Sequence, residues 1–345
     1  MESLVKWEDP GEGRLFGRLR IASIHYPEKP FHVFLNKPDR LEIDFLPEGS
    51  YKISVGYFGH WAMVDTVDVA DNVHTELPPF FVAKPPGGRV EEHIIESTAL
   101  VGNYVGEDPK RRIRISLPEG YENSTDVYPV VYRLPGGGGR FDHSRVPVDK
   151  AIREGRIAPI IEVAIDGKTQ YAGTLFMNSP AFGNWEDFLI DEVIPFVDTR
   201  YRTIQSPQGR ALTGWSRGGW SALILSVFRP GIWGAIGLND PSFWIMWTMT
   251  NDKEDSPSSK NLEKWLEAFR TVPSSLEELK SVQDGRLHIL VKLGATFGFD
   301  AKAPLWGSYP RNKNGEWNSE VREKWDAYNL TRADVLARHK ASMLQ

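Results

Sequence analysis

The stretch Gly214-Trp215-Ser216-Arg217-Gly218 has the G-x-S-x-G spacing of a nucleophile elbow. In an elbow, a serine occupies a tight turn between a strand and a helix, and small flanking residues make room for its strained backbone. A short strand is predicted over residues 209–213. Residues 219–228 form an apolar run of helical length, which ends at Arg229-Pro230-Gly231 because proline cannot continue a helix. The motif therefore has the strand–turn–helix context that an elbow requires.

The segments around this motif predict an α/β domain over residues 87–345. Strands are predicted at 113–117, 128–134 and 160–165, and a helix is predicted over 185–197. Strands that alternate with helices are typical of a largely parallel sheet. Active sites on such sheets lie at the carboxyl ends of the strands, and Ser216 is expected at one of these ends.

Residues 1–86 are predicted to form a small, separate β-sandwich. Apolar and polar residues alternate over 15–21, 41–46, 51–57 and 66–69. Period-two alternation at this spacing indicates short antiparallel strands with one buried face. The prolines and glycines between 78 and 88 are typical of a linker, so they predict the boundary between the two domains.

Composition excludes several classes of protein. The chain has 345 residues, of which 41% are hydrophobic and 25% are charged, an ordinary profile for a soluble protein. Its net charge of -5 gives no reason to expect nucleic acid or an anionic membrane as a partner. The absence of cysteine excludes disulfides, thiolate metal sites and cysteine nucleophiles. Because no signal-peptide core or membrane-spanning run is found, we expect a cytoplasmic protein, or a secreted one if a leader has been removed.

Several sequence segments of the second domain are similar to segments of a known family. They are Leu117-Pro118-Glu119-Gly120-Tyr121, Tyr128-Pro129-Val130-Val131-Tyr132 followed by glycines, Asp191-Glu192-Val193-Ile194-Pro195-Phe196-Val197 followed by Tyr201-Arg202-Thr203, and the elbow itself. With them, residues 92–250 resemble the esterase-D and enterochelin-esterase-like hydrolases. The resemblance implies an α/β-hydrolase fold that acts on carboxylic esters. It also implies an immunoglobulin-like fold for the N-terminal sandwich, since several members carry such a domain.

An acyl-transfer site needs a nucleophile and an oxyanion hole. Ser216 is the predicted nucleophile, and the backbone N–H of Arg217 is one predicted oxyanion donor. The other donor is expected from the four glycines that follow the strand at 128–134, with Gly137 and Gly138 as the candidates. No metal-ligand spacing and no phosphate-binding motif are present, so neither a metal nor a cofactor is expected.

The base and the acid are harder to assign. In this fold the chain order is serine, acid, histidine, and only His288 and His339 follow Ser216. The alternation of residues 286–294 predicts a strand on which His288 faces outward, which leaves His339 as the candidate base. Asp240 is the preferred acid because it is predicted to end the strand beside that of Ser216, and Asp300 is the second candidate.

One hypothesis explains why the base and the acid are hard to assign. The segment that carries the acid and the histidine in relatives is absent here, through natural shortening, through truncation or because another chain supplies it. An oligomer or a second chain is then a partner to test. Trp215, Arg140 and His143 are predicted to contact substrate, since they lie within or after the motifs that border the site.

Three functions are therefore compatible with the sequence. The first is a serine hydrolase that cleaves a small-molecule carboxylic ester through an acyl-enzyme on Ser216. The second is a catalytically degenerate hydrolase fold that binds a ligand or a carbohydrate. The third is an acyltransferase or a lyase that keeps the serine and uses a different base.

Overall fold

The computed structural model divides the chain into two compact units. One comprises residues 1–88 and 143–158, and the other comprises residues 89–142 and 159–345. Within them, the residues that the structure describes are 2–6, 17–23, 31–35, 39–42, 48–57, 60–70, 76–81, 88–139, 146–242, 267–268, 270–282, 285–312, 314–330 and 332–337.

Within its described residues, the first unit contains two small sheets and one helix. Its strands are β1 Glu2–Lys6, β2 Gly17–Ser23, β3 Phe31–Leu35, β4 Asp39–Glu42, β5 Gly49–Tyr57, β6 His60–Val69 and β7 Glu76–Phe81, and its helix is α1 Val146–Arg153. One sheet has the order β4-β1-β7, and the other is antiparallel with the order β3-β2-β5-β6.

Alternating burial explains the strands of the larger of these two sheets. Tyr51 and Ile53 on β5 are buried while Lys52 between them is exposed, and Ile53 lies opposite the buried Ile21 of β2. This is the period-two pattern of a sheet with one apolar face. The immunoglobulin-like topology and the domains 1–86 and 87–345 stay predictions.

The second unit is built on a mixed sheet of six strands. These strands are β8 Val90–Glu96, β9 Lys110–Ser116, β10 Val130–Leu134, β11 Ile161–Ile165, β14 Arg210–Trp215 and β15 Ala235–Asn239, in the order β15-β14-β10-β11-β9-β8. The four strands β11, β10, β14 and β15 are parallel, and β9 and β8 add antiparallel partners at one side. A separate two-residue pair is formed by β12 Asn178–Ser179 and β13 Gly183–Asn184.

The second unit also contains helices. They are α2 Trp185–Asp187, α3 Ile194–Arg200, α4 Arg217–Phe228, α5 Leu276–Ser281, α6 Gly285–Phe297 and α7 Ser319–Asp326, with a π-helical segment Phe188–Val193 between α2 and α3. Short 3-10 turns lie at Tyr121–Asn123, Pro207–Gly209 and Pro304–Trp306. The α/β architecture is the predicted one. None of the described helices is both long enough and apolar enough to cross a bilayer.

Two apolar clusters stabilise the second unit. The larger one covers the central strands, where all five residues of β11 are buried, as expected for a strand covered on both faces. In the smaller one, Trp220 and Ile224 of α4 pack with Leu290 and Leu293 of α6. This second cluster places α6 beside the N-terminal half of α4 and therefore close to the elbow.

Candidate active site

Ser216 lies in the sharp turn between β14 and α4, with φ 55 and ψ -117. A positive φ is rare for a residue other than glycine and is stable only where the surrounding structure enforces it. Such strain at a serine between a strand and a helix is the backbone geometry of a nucleophile elbow. The predicted elbow is therefore present.

The flanking glycines allow the close approach of the backbone at this turn. A Cβ atom on Gly214 would overlap the backbone of Gly218, and a Cβ atom on Gly218 would overlap the carbonyl groups of Leu134 and Pro135. The motif therefore has glycine at both positions because strand β14, helix α4 and the end of β10 meet there without room for a side chain.

The end of β15 holds the elbow in place. The N–H of Ser216 donates to the carbonyl of Asn239 at 2.9 Å, and the N–H of Ser242 donates to the carbonyl of Ser216 at 3.3 Å. The hydroxyls of Ser216 and Ser242 lie 3.2 Å apart, within hydrogen-bond range. Sequence reasoning missed Ser242, since nothing in its local pattern distinguishes it from an ordinary loop serine.

A loop of four glycines, Gly136 to Gly139, follows β10 and lies beside the elbow. The N–H of Gly139 donates to Gly136 at 3.0 Å, and its carbonyl accepts from Gly167 at 2.9 Å. Gly139 has φ 71, and a Cβ atom there would lie 2.6 Å from the backbone of Gly167, so glycine is required. These contacts fix a loop that would otherwise be flexible.

Arg217 connects this loop to the elbow. Its Nη2 donates to the carbonyl of Gly137, while its Nη1 is buried without a hydrogen-bond partner. Burial lowers the pKa of the Arg217 guanidinium to about 10, so the group is still charged at neutral pH. Among the described residues, the backbone N–H groups of Gly137, Gly138 and Arg217 have no protein acceptor.

The predicted acid candidates occupy different surroundings. Asp240 follows β15, whose Asn239 pairs with Trp215 of β14, so Asp240 and Ser216 do follow neighbouring strands. Asp240 is exposed and has φ 46. Asp300 accepts a hydrogen bond from the N–H of Lys302 at 2.9 Å, as an aspartate in a turn does. The catalytic role of Asp240 stays a prediction.

The prediction of an outward-facing strand for residues 286–294 is wrong. This segment belongs to helix α6, and the Nε2 of His288 donates to the carbonyl of Val282 at 2.9 Å. The Nε2 of His288 is therefore engaged with backbone, and none of the hydrogen bonds of Ser216 within the described residues involves this imidazole. His339, Arg140 and His143 lie outside the described residues, and their roles stay predictions.

Trp215 is the one predicted substrate contact within the described residues. Its side chain is large and apolar, yet the residue is 54% exposed, and its ring lies against Gly136 of the glycine loop. An exposed indole beside the nucleophile is available to contact a substrate.

Lys292 is a buried residue near the site. A strand with the alternation predicted for residues 286–294 would place it on the outward face with His288, but it lies on α6 with 1% exposure. Its Nζ has no hydrogen-bond partner. Burial and, second, the charge of Arg217 hold the pKa of Lys292 well below its usual value. The signal of this burial in the sequence is that the lysine lies within an apolar run, Leu287 to Leu293.

The described residues contain no group of three or more His, Asp or Glu side chains arranged to hold a metal ion. Around Ser216 the described residues provide hydroxyls, backbone amides, the guanidinium of Arg217 and the buried amine of Lys292.

An elbow serine above a mostly parallel sheet defines the second unit as an α/β-hydrolase, and beside it the amides of Gly137 and Gly138 have no acceptor among the residues that the structure describes. Residues 106–336 match the model of the esterase family described as "Putative esterase". The chain belongs to this family.

Named relatives match shorter parts of the chain. Esterase Rv1288 of Mycobacterium tuberculosis (strain ATCC 25618 / H37Rv) is 34% identical over 119 residues, which are 32% of this chain and 25% of that protein. The endo-1,4-beta-xylanase/feruloyl esterase of Xylanibacter ruminicola is 26% identical over 195 residues, 50% of this chain and 26% of that protein. The chain thus spans about a quarter of the length of these curated relatives.

Among solved structures, the ferulic acid esterase of the anaerobic fungus Anaeromyces mucronatus is similar. It is 24% identical and has a TM-score of 0.35, and the match covers 46% of this chain and 61% of that chain.

Proposed function

We propose that the protein is a carboxylic-ester hydrolase that acts through an acyl-enzyme on Ser216. The observation that supports this most strongly is the strained turn of Ser216, with φ 55, at the N-terminus of a helix of twelve residues. The strain holds the hydroxyl above the end of the sheet, and the dipole of α4 favours negative charge at that position. Membership of the esterase family agrees with this chemistry.

The reaction proceeds in two acyl transfers. The oxygen of Ser216 bonds to the ester carbonyl carbon while its proton passes to a base, and the alcohol leaves with that proton as its bond to carbon breaks. Water then attacks the acyl-enzyme, releases the acid and restores the hydroxyl. In both steps the carbonyl oxygen becomes negative, and the N–H groups of Arg217 and of Gly137 or Gly138 are the proposed donors to it. We assign His339 as the base and Asp240 as the acid that orients it.

Labelling with a fluorophosphonate probe tests the nucleophile. The wild-type chain is expected to form a covalent adduct, visible by mass spectrometry on the peptide that contains Ser216. Ser216→Ala is expected to lose labelling and ester cleavage together, because no other hydroxyl occupies the elbow. Ser226→Ala is the matched control, since Ser226 lies on the same helix and its hydroxyl only caps the carbonyl of Leu223. Labelling of Ser216→Ala at the wild-type rate would contradict the proposal.

A second candidate is a ligand-binding protein with a degenerate hydrolase fold. The observation in its favour is that the hydroxyl of Ser216 contacts the hydroxyl of Ser242, and that no described imidazole lies in hydrogen-bond range of it. This candidate predicts an intact elbow, no labelling of the wild-type chain and retained binding of a small ligand. The same labelling experiment therefore separates the two functions.

A further inference from the structure

The glycine loop contains a peptide group that its own sequence leaves free to rotate. The N–H of Gly139 donates to the carbonyl of Gly136 at 3.0 Å, so Gly137 and Gly138 are the central residues of a β-turn. Neither of them has a positive φ, as in a type I turn. Rotation of the peptide between them gives a type II turn, which needs a positive φ at Gly138. Glycine adopts either sign of φ, so the residues of the turn do not by themselves choose between the two forms.

The side chain of Arg217 contacts this peptide. Its Nη2 donates to the carbonyl of Gly137, and a Cβ atom on Gly137 would overlap the guanidinium, so the two groups lie directly against each other. Within the described part of the chain, this carbonyl is the acceptor that the Arg217 guanidinium contacts. A hydrogen bond from a charged donor is stronger than one between neutral groups. Arg217 therefore favours the form of the turn that is observed.

The orientation of one N–H group follows from this contact. A trans peptide is planar, and its carbonyl and N–H point in opposite directions. When Arg217 holds the carbonyl of Gly137, the N–H of Gly138 is therefore held on the opposite side of the peptide. Gly138 is exposed, and its N–H has no acceptor among the described residues, so it is available to the oxygen of a ligand. The charged hydrogen bond to the carbonyl also polarises the peptide and strengthens its N–H as a donor.

We propose that Arg217 acts through its side chain as a positioning residue of the oxyanion hole, by selecting the turn in which the N–H of Gly138 donates to the substrate oxygen. The backbone N–H of Arg217 is the other proposed donor, so one residue supplies the first donor and orients the second. A donor that is oriented before the reaction stabilises the negative oxygen without reorganisation. The inference rests on the proposed ester hydrolysis at Ser216, and it narrows the second donor from Gly137 or Gly138 to Gly138.

Hydrolysis of 4-nitrophenyl butyrate by Arg217→Met tests the role of the side chain. The variant keeps the backbone N–H and loses the guanidinium. We expect kcat to fall about 10- to 100-fold while KM changes less than about twofold, because the oxyanion exists only after attack on the carbonyl. Arg202→Met is the matched control, since Nη2 of Arg202 also donates to a backbone carbonyl, that of Tyr121, in a different turn. A loss that appears in KM alone, or an equal loss in Arg202→Met, would overturn the proposal.

A second variant separates orientation of the peptide from general damage to the fold. A Cβ atom on Gly138 meets nothing within 4 Å, and alanine strongly disfavours the positive φ that the rotated turn needs. In a Gly138→Ala background the turn is restricted without Arg217, so Arg217→Met should lower kcat by less than about threefold there. Damage to the fold would not be relieved by this change. Equal losses of kcat in the two backgrounds would therefore contradict the assignment.

Nuclear magnetic resonance separates this inference from the proposed function. In a chain labelled with ¹³C,¹⁵N-glycine, a spectrum that correlates each carbonyl carbon with the next amide shows only glycine–glycine peptides, and Gly138→Ala identifies the Gly137–Gly138 signal by its absence. Arg217→Met should move this carbonyl signal to lower frequency, as expected when a carbonyl loses a charged hydrogen bond, and Arg202→Met should not. If the signal moves but the wild-type chain cleaves no ester, the orientation by Arg217 stands and the hydrolase function fails. If esters are cleaved and the signal does not move, the role of Arg217 is refuted.

Discussion

At the scale of single residues, the buried amine of Lys292 opposes folding. The unfolded chain holds the lysine proton up to its ordinary pKa of 10.5, whereas burial and the nearby Arg217 lower the pKa in the folded chain. In the range between the lowered folded pKa and 10.5 the unfolded chain binds more protons than the folded chain, so the free energy of unfolding rises as the pH increases through that range. An unpaired polar atom in this position adds a desolvation penalty of its own.

Lys292→Met is accordingly expected to stabilise the protein. The variant should raise the free energy of unfolding by about 1–3 kcal/mol at pH 7, the penalty for a buried polar group without a hydrogen bond. The stability that Lys292→Met gains over wild type should shrink as the pH rises toward 10.5, because the unfolded lysine then loses its proton and folding no longer has to remove it. Urea unfolding at several pH values measures both effects. Lys324→Met, at an exposed position of α7, should change stability by less than about 0.5 kcal/mol, and a destabilised Lys292→Met would contradict the argument.

At the scale of elements, a single carboxylate ties the loop after β8 to the helical segment before α3. One oxygen of Glu192 accepts three hydrogen bonds. They come from the N–H of Thr98 at 2.9 Å, from the hydroxyl of Thr98 at 2.7 Å and from the N–H of Ala99 at 3.0 Å. Burial acts to raise the pKa of Glu192, but the hydrogen bonds from Ser97, Thr98 and Ala99 outweigh it and lower the pKa. The ionised form is thus the one that the fold prefers.

Glu192→Gln should therefore destabilise the protein in a pH-dependent way. We expect the free energy of unfolding to fall by about 1–2 kcal/mol at pH 7. This is less than fully buried hydrogen bonds to a charged group would contribute, because the side chain is partly exposed and solvent screens its charge. A lowered pKa stabilises the fold above the unfolded value of 4.5 and ceases to do so as the pH falls through the folded value. The difference from wild type should then diminish below about pH 4.5. Glu119→Gln, at an exposed turn position, is the control, and an effect of Glu192→Gln that is constant with pH would refute the assignment.

The elements also show what the sequence can and cannot predict. The elbow was predictable because Gly214 and Gly218 are required by local backbone contacts that the motif itself records. Helix α6 was not, because Leu290, Val291, Lys292 and Leu293 are all buried, and a segment without an exposed face has no polar period to distinguish helix from strand. The same burial concealed Lys292, which an alternating pattern placed in solvent. The pairing of Ser216 with Ser242 depends on the register of β14 and β15, which no local pattern encodes.

At the scale of the whole molecule, the two compact units are not two continuous lengths of chain. Helix α1 lies in sequence between β10 and β11 of the six-stranded sheet, yet residues 143–158 group with residues 1–88. The first unit is therefore assembled from two separate segments, and its cooperative unfolding should include both.

Hydrogen exchange of the full chain in low concentrations of urea tests this grouping. The amides of α1, within Val146–Arg153, are expected to lose protection together with those of β5 and β6, because elements of one compact unit open cooperatively. The amides of β10 and β11 should keep their protection to higher urea, since these strands lie at the centre of the large apolar cluster. Mass spectrometry of peptides from the three regions gives the measurement within a single sample. If α1 opens with β10 and β11, its neighbours in sequence decide its stability, and the division into two units does not describe how the protein unfolds.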